Sequence, residues 1–157
     1  MSVDPNLFRQ VMSRFASGVT VVTTLDQGRP SGLTVSSFAS LSLTPTLALV
    51  CLDNGTRISE QIVAAGGFAI NILADDQELL SRHFASPQKG DWGAIDWAPG
   101  PAGLPLLNGA LARMECSLAQ TLPGGDHTIY VGELTHAEAA DAAPLLYYRG
   151  GYHALPA

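Results

Sequence analysis

Two runs of strand-like residues face each other across a short break near the C-terminal end: Ala110 to Thr121 and His127 to Ala137, separated by Leu122-Pro123-Gly124-Gly125-Asp126. Successive side chains of a strand point to opposite faces, and a break rich in Gly, Pro and Asp supplies turn conformations, so this stretch predicts a long antiparallel hairpin. A hairpin alone leaves an apolar face in water, so further elements must cover it. The rest of the chain supplies them. Val19 to Leu25 is rich in β-branched residues, and Asp26-Gln27-Gly28-Arg29-Pro30 reads as a turn into a strand at Ser31 to Val35. Leu47 to Leu52 is a nearly continuous apolar run, as expected of a strand buried on both faces, and Asp53-Asn54-Gly55 ends it. Phe68 to Leu73 and Leu145 to Tyr148 read as further strands, with Gly150-Gly151-Tyr152 as a closing turn.

Helices are fewer. Asp4-Pro5 is a capping carboxylate followed by proline at the first helical position; Leu7, Phe8, Val11, Met12 and Phe15 then recur at helical spacing up to Gly18. Thr56 is placed to cap a short helix through Ala65, stopped by Gly66-Gly67. Asp75 and Glu78 have capping-box spacing, with Leu79, Leu80, His83 and Phe84 giving the helix behind them an apolar side as far as Ala85. From Ser86 to Gly109, Pro, Gly, Trp and Asp dominate, which predicts a long surface loop carrying Trp92 and Trp97. Many strands at hairpin spacing with a few intercalated helices give a mainly β antiparallel barrel decorated by helices. At 157 residues and 46% hydrophobic content, the whole chain is expected to be one domain with a real core.

Composition narrows the chemistry. A formal charge of −6, with one lysine and seven arginines, argues against a nucleic-acid partner, which needs a concentrated basic face. Cys51 and Cys116 stand far apart without metal-ligand spacing, so both read as core thiols and no metal is expected. No apolar stretch reaches the roughly 20 residues of a membrane span and no leader pattern opens the chain, which sets the expectation of a cytoplasmic protein without a membrane partner. Neither Gly-x-Gly-x-x-Gly nor Gly-x-x-x-x-Gly-Lys-Ser/Thr nor Gly-x-Ser-x-Gly occurs, so a Rossmann domain, a phosphate loop and a serine-hydrolase elbow lack support.

What remains is Gly32-Leu33-Thr34-Val35-Ser36-Ser37-Phe38-Ala39-Ser40-Leu41-Ser42-Leu43-Thr44-Pro45, a run of hydroxyls among apolar residues. Small side chains let the backbone approach a ligand closely, and hydroxyls donate to phosphate or ring carbonyl oxygens. Read alone, the run is equally an ordinary Ser/Thr-rich strand and turn.

Taken in order with Phe15 to Thr24, Leu47 to Leu52, Asn54-Gly55-Thr56-Arg57, Phe68 to Leu73, and Gly125-Asp126-His127 with Ile129 to Glu133, this stretch resembles the flavin reductase family of the FMN-binding split-barrel fold. That resemblance spans about Phe8 to Tyr152 and implies a Greek-key-like split β-barrel, a homodimer with flavin at the subunit boundary, and FMN or FAD with NADH or NADPH as electron donor. The implied activity is hydride transfer from nicotinamide to flavin N5, the reduced flavin then diffusing to a separate monooxygenase. Carried over residue by residue, it implies Thr34 and Ser36 beside the flavin ring or ribityl chain, Val35 in the same strand, and Ser37 and Ser42 near the ribityl or phosphate. Cys51 and Leu52 would offer backbone contacts, Thr56 and Arg57 the phosphate end at a helix start, His127 a contact to nicotinamide or flavin, and Tyr152 a lid. Without the resemblance, Arg57 is a solvated helix-start arginine, His127 an exposed polar residue and Tyr152 an edge aromatic, while His83, His136 and His153 carry no assignment. Two other readings stay open: a split-barrel enzyme whose bound FMN acts on another organic substrate, and a non-catalytic flavin-storage module. No appended ferredoxin-like or regulatory domain is expected, and electrons are expected to leave on the flavin itself.

Overall fold

The computed structural model describes residues 2–156. Along the chain run α1 (Pro5–Met12), β1 (Ser17–Gly18), β2 (Thr20–Asp26), β3 (Arg29–Val35), β4 (Phe38–Leu43), β5 (Thr46–Asp53), α2 (Arg57–Ala65), β6 (Gly67–Ile72) and α3 (Glu78–Phe84). A single turn of 3-10 helix (Pro87–Gly90) leads into β7 (Trp97–Pro99), β8 (Pro105–Leu107), β9 (Ala112–Gly124), β10 (His127–Ala139), β11 (Leu146–Tyr148) and β12 (Gly151–His153). Seven strands form one antiparallel sheet in the order β3-β2-β6-β9-β10-β5-β4. The predicted hairpin is its spine: β9 and β10 pair from Ala112↔Ala139 to Gly124↔His127, leaving only Gly125-Asp126 as the turn. Gly125 there takes φ 78°, a left-handed conformation that glycine adopts without strain.

Alternation along β2 divides the core in two. Val22 packs with Val50, Leu52, Ile62, Phe68 and Ile70 on one face of the sheet, under α2. Val19 and Val21 pack on the other with Leu73, Phe84 and Leu107, where α3 lies. Each such apolar side chain contributes about 1.5–3 kcal/mol by leaving water. Phe68 fits only because residue 132 is glycine: a Cβ there would stand 2.5 Å from Cys116 Cβ and 2.7 Å from the Phe68 ring.

Several sequence expectations change. The hydroxyl-rich stretch is two strands, β3 and β4, with a bend at Ser36-Ser37 between them. In β5 only Ala48, Val50 and Leu52 are buried, while Leu47, Leu49 and Cys51 are half-buried, so that strand has one core face rather than two. Asp4 does cap α1, accepting from the N–H groups of Asn6 and Leu7, but the α-helix stops at Met12: Arg14 and Phe15 tighten into turns on the Val11 and Met12 carbonyls, and by Ser17 the chain is already paired with Tyr147 of β11. Asp75 caps nothing; Gln77 is the residue before α3, and the Asp75 N–H is tied instead to the Ala143 carbonyl. The stretch 86–109 is not a free loop either. Its second half forms β7 and β8, with Leu104, Leu106 and Leu107 in the core. Tyr152 lies within β12, beyond the closing turn at Arg149-Gly150. Among the described residues no helix is long and apolar enough to cross a membrane.

Candidate functional site

Two clefts flank the turn Asp53-Asn54-Gly55-Thr56, which leads from β5 into α2. The first, of about 540 Å³, lies between the β2–β3 hairpin, the start of α2 and the segment Pro87–Trp92; Thr56 and Arg57 line it. Arg29, Arg57 and Lys89 all face this cleft, three of the eight lysines and arginines in an acidic chain. Gly32 opens its floor, since a Cβ there would meet the Phe84 ring at 2.7 Å and Trp92 at 3.2 Å. The second cleft, of about 670 Å³, is lined by Phe8 and Arg9 of α1, Cys51 and Asp53 of β5, and His127 with Asp126 at the hairpin tip.

Thr56 was expected to cap α2 with its hydroxyl. It donates to the Asp53 carbonyl at 2.7 Å instead, leaving the first amides of α2 without a side-chain cap. Free amides and the helix dipole favour an anion at that point. The Arg57 guanidinium, 81% exposed, reaches across to Asp26 Oδ2 at 2.8 Å, and Gln61 Nε2 donates to the same oxygen at 3.0 Å. Asn54 ties the turn to the hairpin. Its N–H donates to the Asp126 carbonyl at 3.0 Å, its Nδ2 to the Gly125 carbonyl at 3.4 Å, and its Oδ1 accepts from Thr128 Oγ1 at 2.7 Å.

His127 Nδ1 lies 2.7 Å from Asp126 Oδ1. The hydrogen bond with His127 first, and its charge second, hold the Asp126 carboxyl below its usual range, and the same contact orients the imidazole through Nδ1. Nε2 has no protein partner among the described residues, which leaves it free for a ligand.

The remaining predicted site residues fall into two groups. The Thr34 hydroxyl donates to the Ser81 carbonyl at 2.6 Å, and Ser81 Oγ and Tyr152 OH share a hydrogen bond of 2.7 Å, so these side chains join β3, α3 and β12. Arg82 stands 4.9 Å from the centre of the Tyr152 ring. Ser36 is exposed at the bend; Ser37 Oγ donates to the Cys51 carbonyl at 2.6 Å, and Ser42 Oγ accepts from the Thr44 N–H at 3.2 Å. Val35 and Leu52 are buried in the core, so only their backbone groups can meet a ligand. The structure thus brings Thr56 and Arg57 together at one cleft and Cys51 and His127 at the other, with Thr34 and Tyr152 meeting through Ser81. Sequence reasoning missed Asp26, Asn54 and Gln61, whose partners lie far along the chain, and Arg29 and Lys89, which reach the cleft only through the folding of distant segments; none of these leaves a local pattern. The one available signal was the scarcity of cations, which makes any cluster of them informative.

An antiparallel β sheet carrying a cation-lined cleft beside an uncapped helix start is an arrangement that can receive an anionic ligand. Residues 12–156 match the family model described as flavin reductase like domain, and the chain belongs to that family. It is 40% identical over 152 residues to the reductase subunit HsaB of a flavin-dependent monooxygenase from Rhodococcus jostii, covering 96% of this chain and 78% of that protein. The native structure of the flavin reductase PheA2 superposes with a TM-score of 0.93 at 37% identity, covering 99% of this chain and all of that one. The NADH:FAD oxidoreductase SgcE6 of Streptomyces globisporus, solved with NAD and FAD fragments, gives a TM-score of 0.92 at 35% identity, covering 99% and 97% of the two chains. The donor set fits a flavin nucleotide: cations and uncapped amides for its phosphate, and the indole of Trp92, whose buried Nε1 lacks a partner, in the same cleft.

Proposed function

We propose that this chain catalyses the reduction of flavin, FMN or FAD, by NADH, and that reduced flavin leaves it to serve a separate monooxygenase. The observation that carries the site assignment is the pairing of two clefts across one short turn: cations and helix amides on one side, an oriented imidazole on the other. The chemistry supplied by a bound flavin is acceptance of a hydride at ring N5 from nicotinamide C4; the protein contributes position rather than an acid or a nucleophile. In this reading Arg57 and the first turn of α2 hold the phosphate. The backbone of Val35, Cys51 and Leu52, with the hydroxyls of Thr34, Ser36, Ser37 and Ser42, borders the ring and ribityl chain. His127 Nε2 donates or accepts at the nicotinamide, and Tyr152 closes the far side. The seven-stranded sheet is read as the split barrel of this family, and a second copy of the chain as the partner that covers α1.

The experiment follows NADH absorbance with and without FMN, FAD and riboflavin. Turnover that depends on added flavin is expected; tight flavin retention without turnover would replace this reading by storage. Charge-assisted hydrogen bonds contribute about 1.5–3 kcal/mol, so Arg57→Ala should weaken FMN binding roughly 10- to 100-fold and leave riboflavin, which has no phosphate, nearly unchanged. Equal loss for both would remove Arg57 from the phosphate.

A further inference from the structure

Resting on the reading that Arg57 meets the flavin phosphate, we infer that Asp26 is a built-in competitor for that guanidinium, lowering affinity for the anionic end of the flavin so that the reduced product can leave. Asp26 lies at the end of β2, across the first cleft from α2. Its Oδ2 accepts from Arg57 Nη2 at 2.8 Å and from Gln61 Nε2 at 3.0 Å, and Gln61 Oε1 accepts in turn from Ser31 Oγ at 2.6 Å. The carboxylate is thereby anchored to both α2 and β3. It is also the less exposed member of the ion pair, 30% against 81% for the guanidinium, so Asp26 is the fixed partner and Arg57 the movable one.

A phosphate arriving in this cleft meets a guanidinium with one of its donors already committed and a fixed negative charge beside it. The fork has five N–H donors, so it can serve both acceptors; the acid weakens binding without blocking it. Arg29 and Lys89 line the same cleft and have no ion-pair partner among the described residues, so the acid is paired selectively with the arginine at the helix start. An enzyme whose product must diffuse away needs an affinity held down in this manner, because a phosphate bound by every available donor would make release the slow step.

The test compares FMN and riboflavin binding to the wild type, Asp26→Asn and Arg57→Ala. Asparagine keeps the acceptor for Gln61 and removes only the charge. At low salt, D26N should tighten FMN binding roughly ten-fold, leave riboflavin unchanged, and slow the release of reduced FMN in proportion; the gain should shrink as ionic strength rises. Asp26→Ser provides the same charge removal should the asparagine variant fold poorly. An unchanged FMN affinity, or equal tightening for both flavins, overturns the inference. If Arg57→Ala loses FMN selectively while D26N is silent, the inference alone fails. If Arg57→Ala affects both flavins equally, the phosphate assignment beneath it fails as well.

Discussion

Cys116 lies 1% exposed on β9, with Phe68 and Gly132 against it and the buried carboxylate of Glu115 next in sequence. Glu115 accepts from the N–H groups of Ala102 and Leu104, which satisfies its charge through backbone amides and fastens the Gly100–Leu104 turn to the sheet. Burial first, and the Glu115 charge second, push the Cys116 thiol up to about 12. In the unfolded chain that thiol ionises near 9, so above that pH the unfolded state releases a proton that the native state keeps. Stability from this site is complete below pH 9 and is lost as pH climbs toward 12, with a slope approaching about 1.4 kcal/mol per pH unit. Denaturant unfolding at about pH 8 and about pH 10.5 should show this loss in the wild type, and the loss should be smaller in Cys116→Ala. Of the two expected core thiols only Cys116 is one; Cys51 is half-buried at the second cleft, because β5 turns only its other face to the core, and the neighbours of Cys116 were not legible because Phe68 and Gly132 reach it only through sheet pairing.

At the scale of elements, the β9–β10 hairpin and the turn from β5 into α2 act as one unit. β5 pairs with β10 from Glu133↔Leu47 to His127↔Asp53, which brings the end of one strand beside the start of the other, and Asn54 then locks turn to tip. The position of His127 relative to Arg57 therefore depends on an amide side chain that carries no chemistry of its own. Asn54→Ala removes two of its three hydrogen bonds and, with nicotinamide at the His127 cleft as proposed, should raise the KM for NADH about three- to ten-fold while leaving FMN affinity within about two-fold. Steady-state kinetics and flavin titration check this; a matched loss of both would mean that the turn itself had collapsed. The hairpin was readable from alternation and turn residues. The Asp75 cap and the loop over 86–109 were misjudged because a short polar segment can satisfy its backbone groups locally or through distant strands, and only packing chooses.

For the molecule as a whole, α1 is the outstanding feature. Its apolar face, Leu7, Phe8, Val11 and Met12, continues into Phe15, and these residues are 50% to 77% exposed. A helix this short holds together in water mainly by burying such a face, so a partner surface is expected to cover it. The proposed partner is a second copy of the chain. Val11→Asp places a charge in the middle of that face and should leave a monomer in sedimentation where the wild type sediments as the proposed dimer. Because Phe8 and Arg9 also line the second cleft, the same variant should lose most NADH turnover. A variant that stays dimeric would move the subunit contact elsewhere.

The sequence by itself determined the β2–β3 and β9–β10 hairpins, the helix starts at Asp4 and Thr56, and the family, because alternation, turn chemistry and ordered motifs are local properties of the chain. Only the tertiary structure decided which cations share a cleft, that Asp26 answers Arg57, and that Thr34 is tied to Ser81 and through it to Tyr152. Those pairings join residues 31, 47 and 71 positions apart, and separations of that size are closed by sheet order and register, which no local pattern encodes.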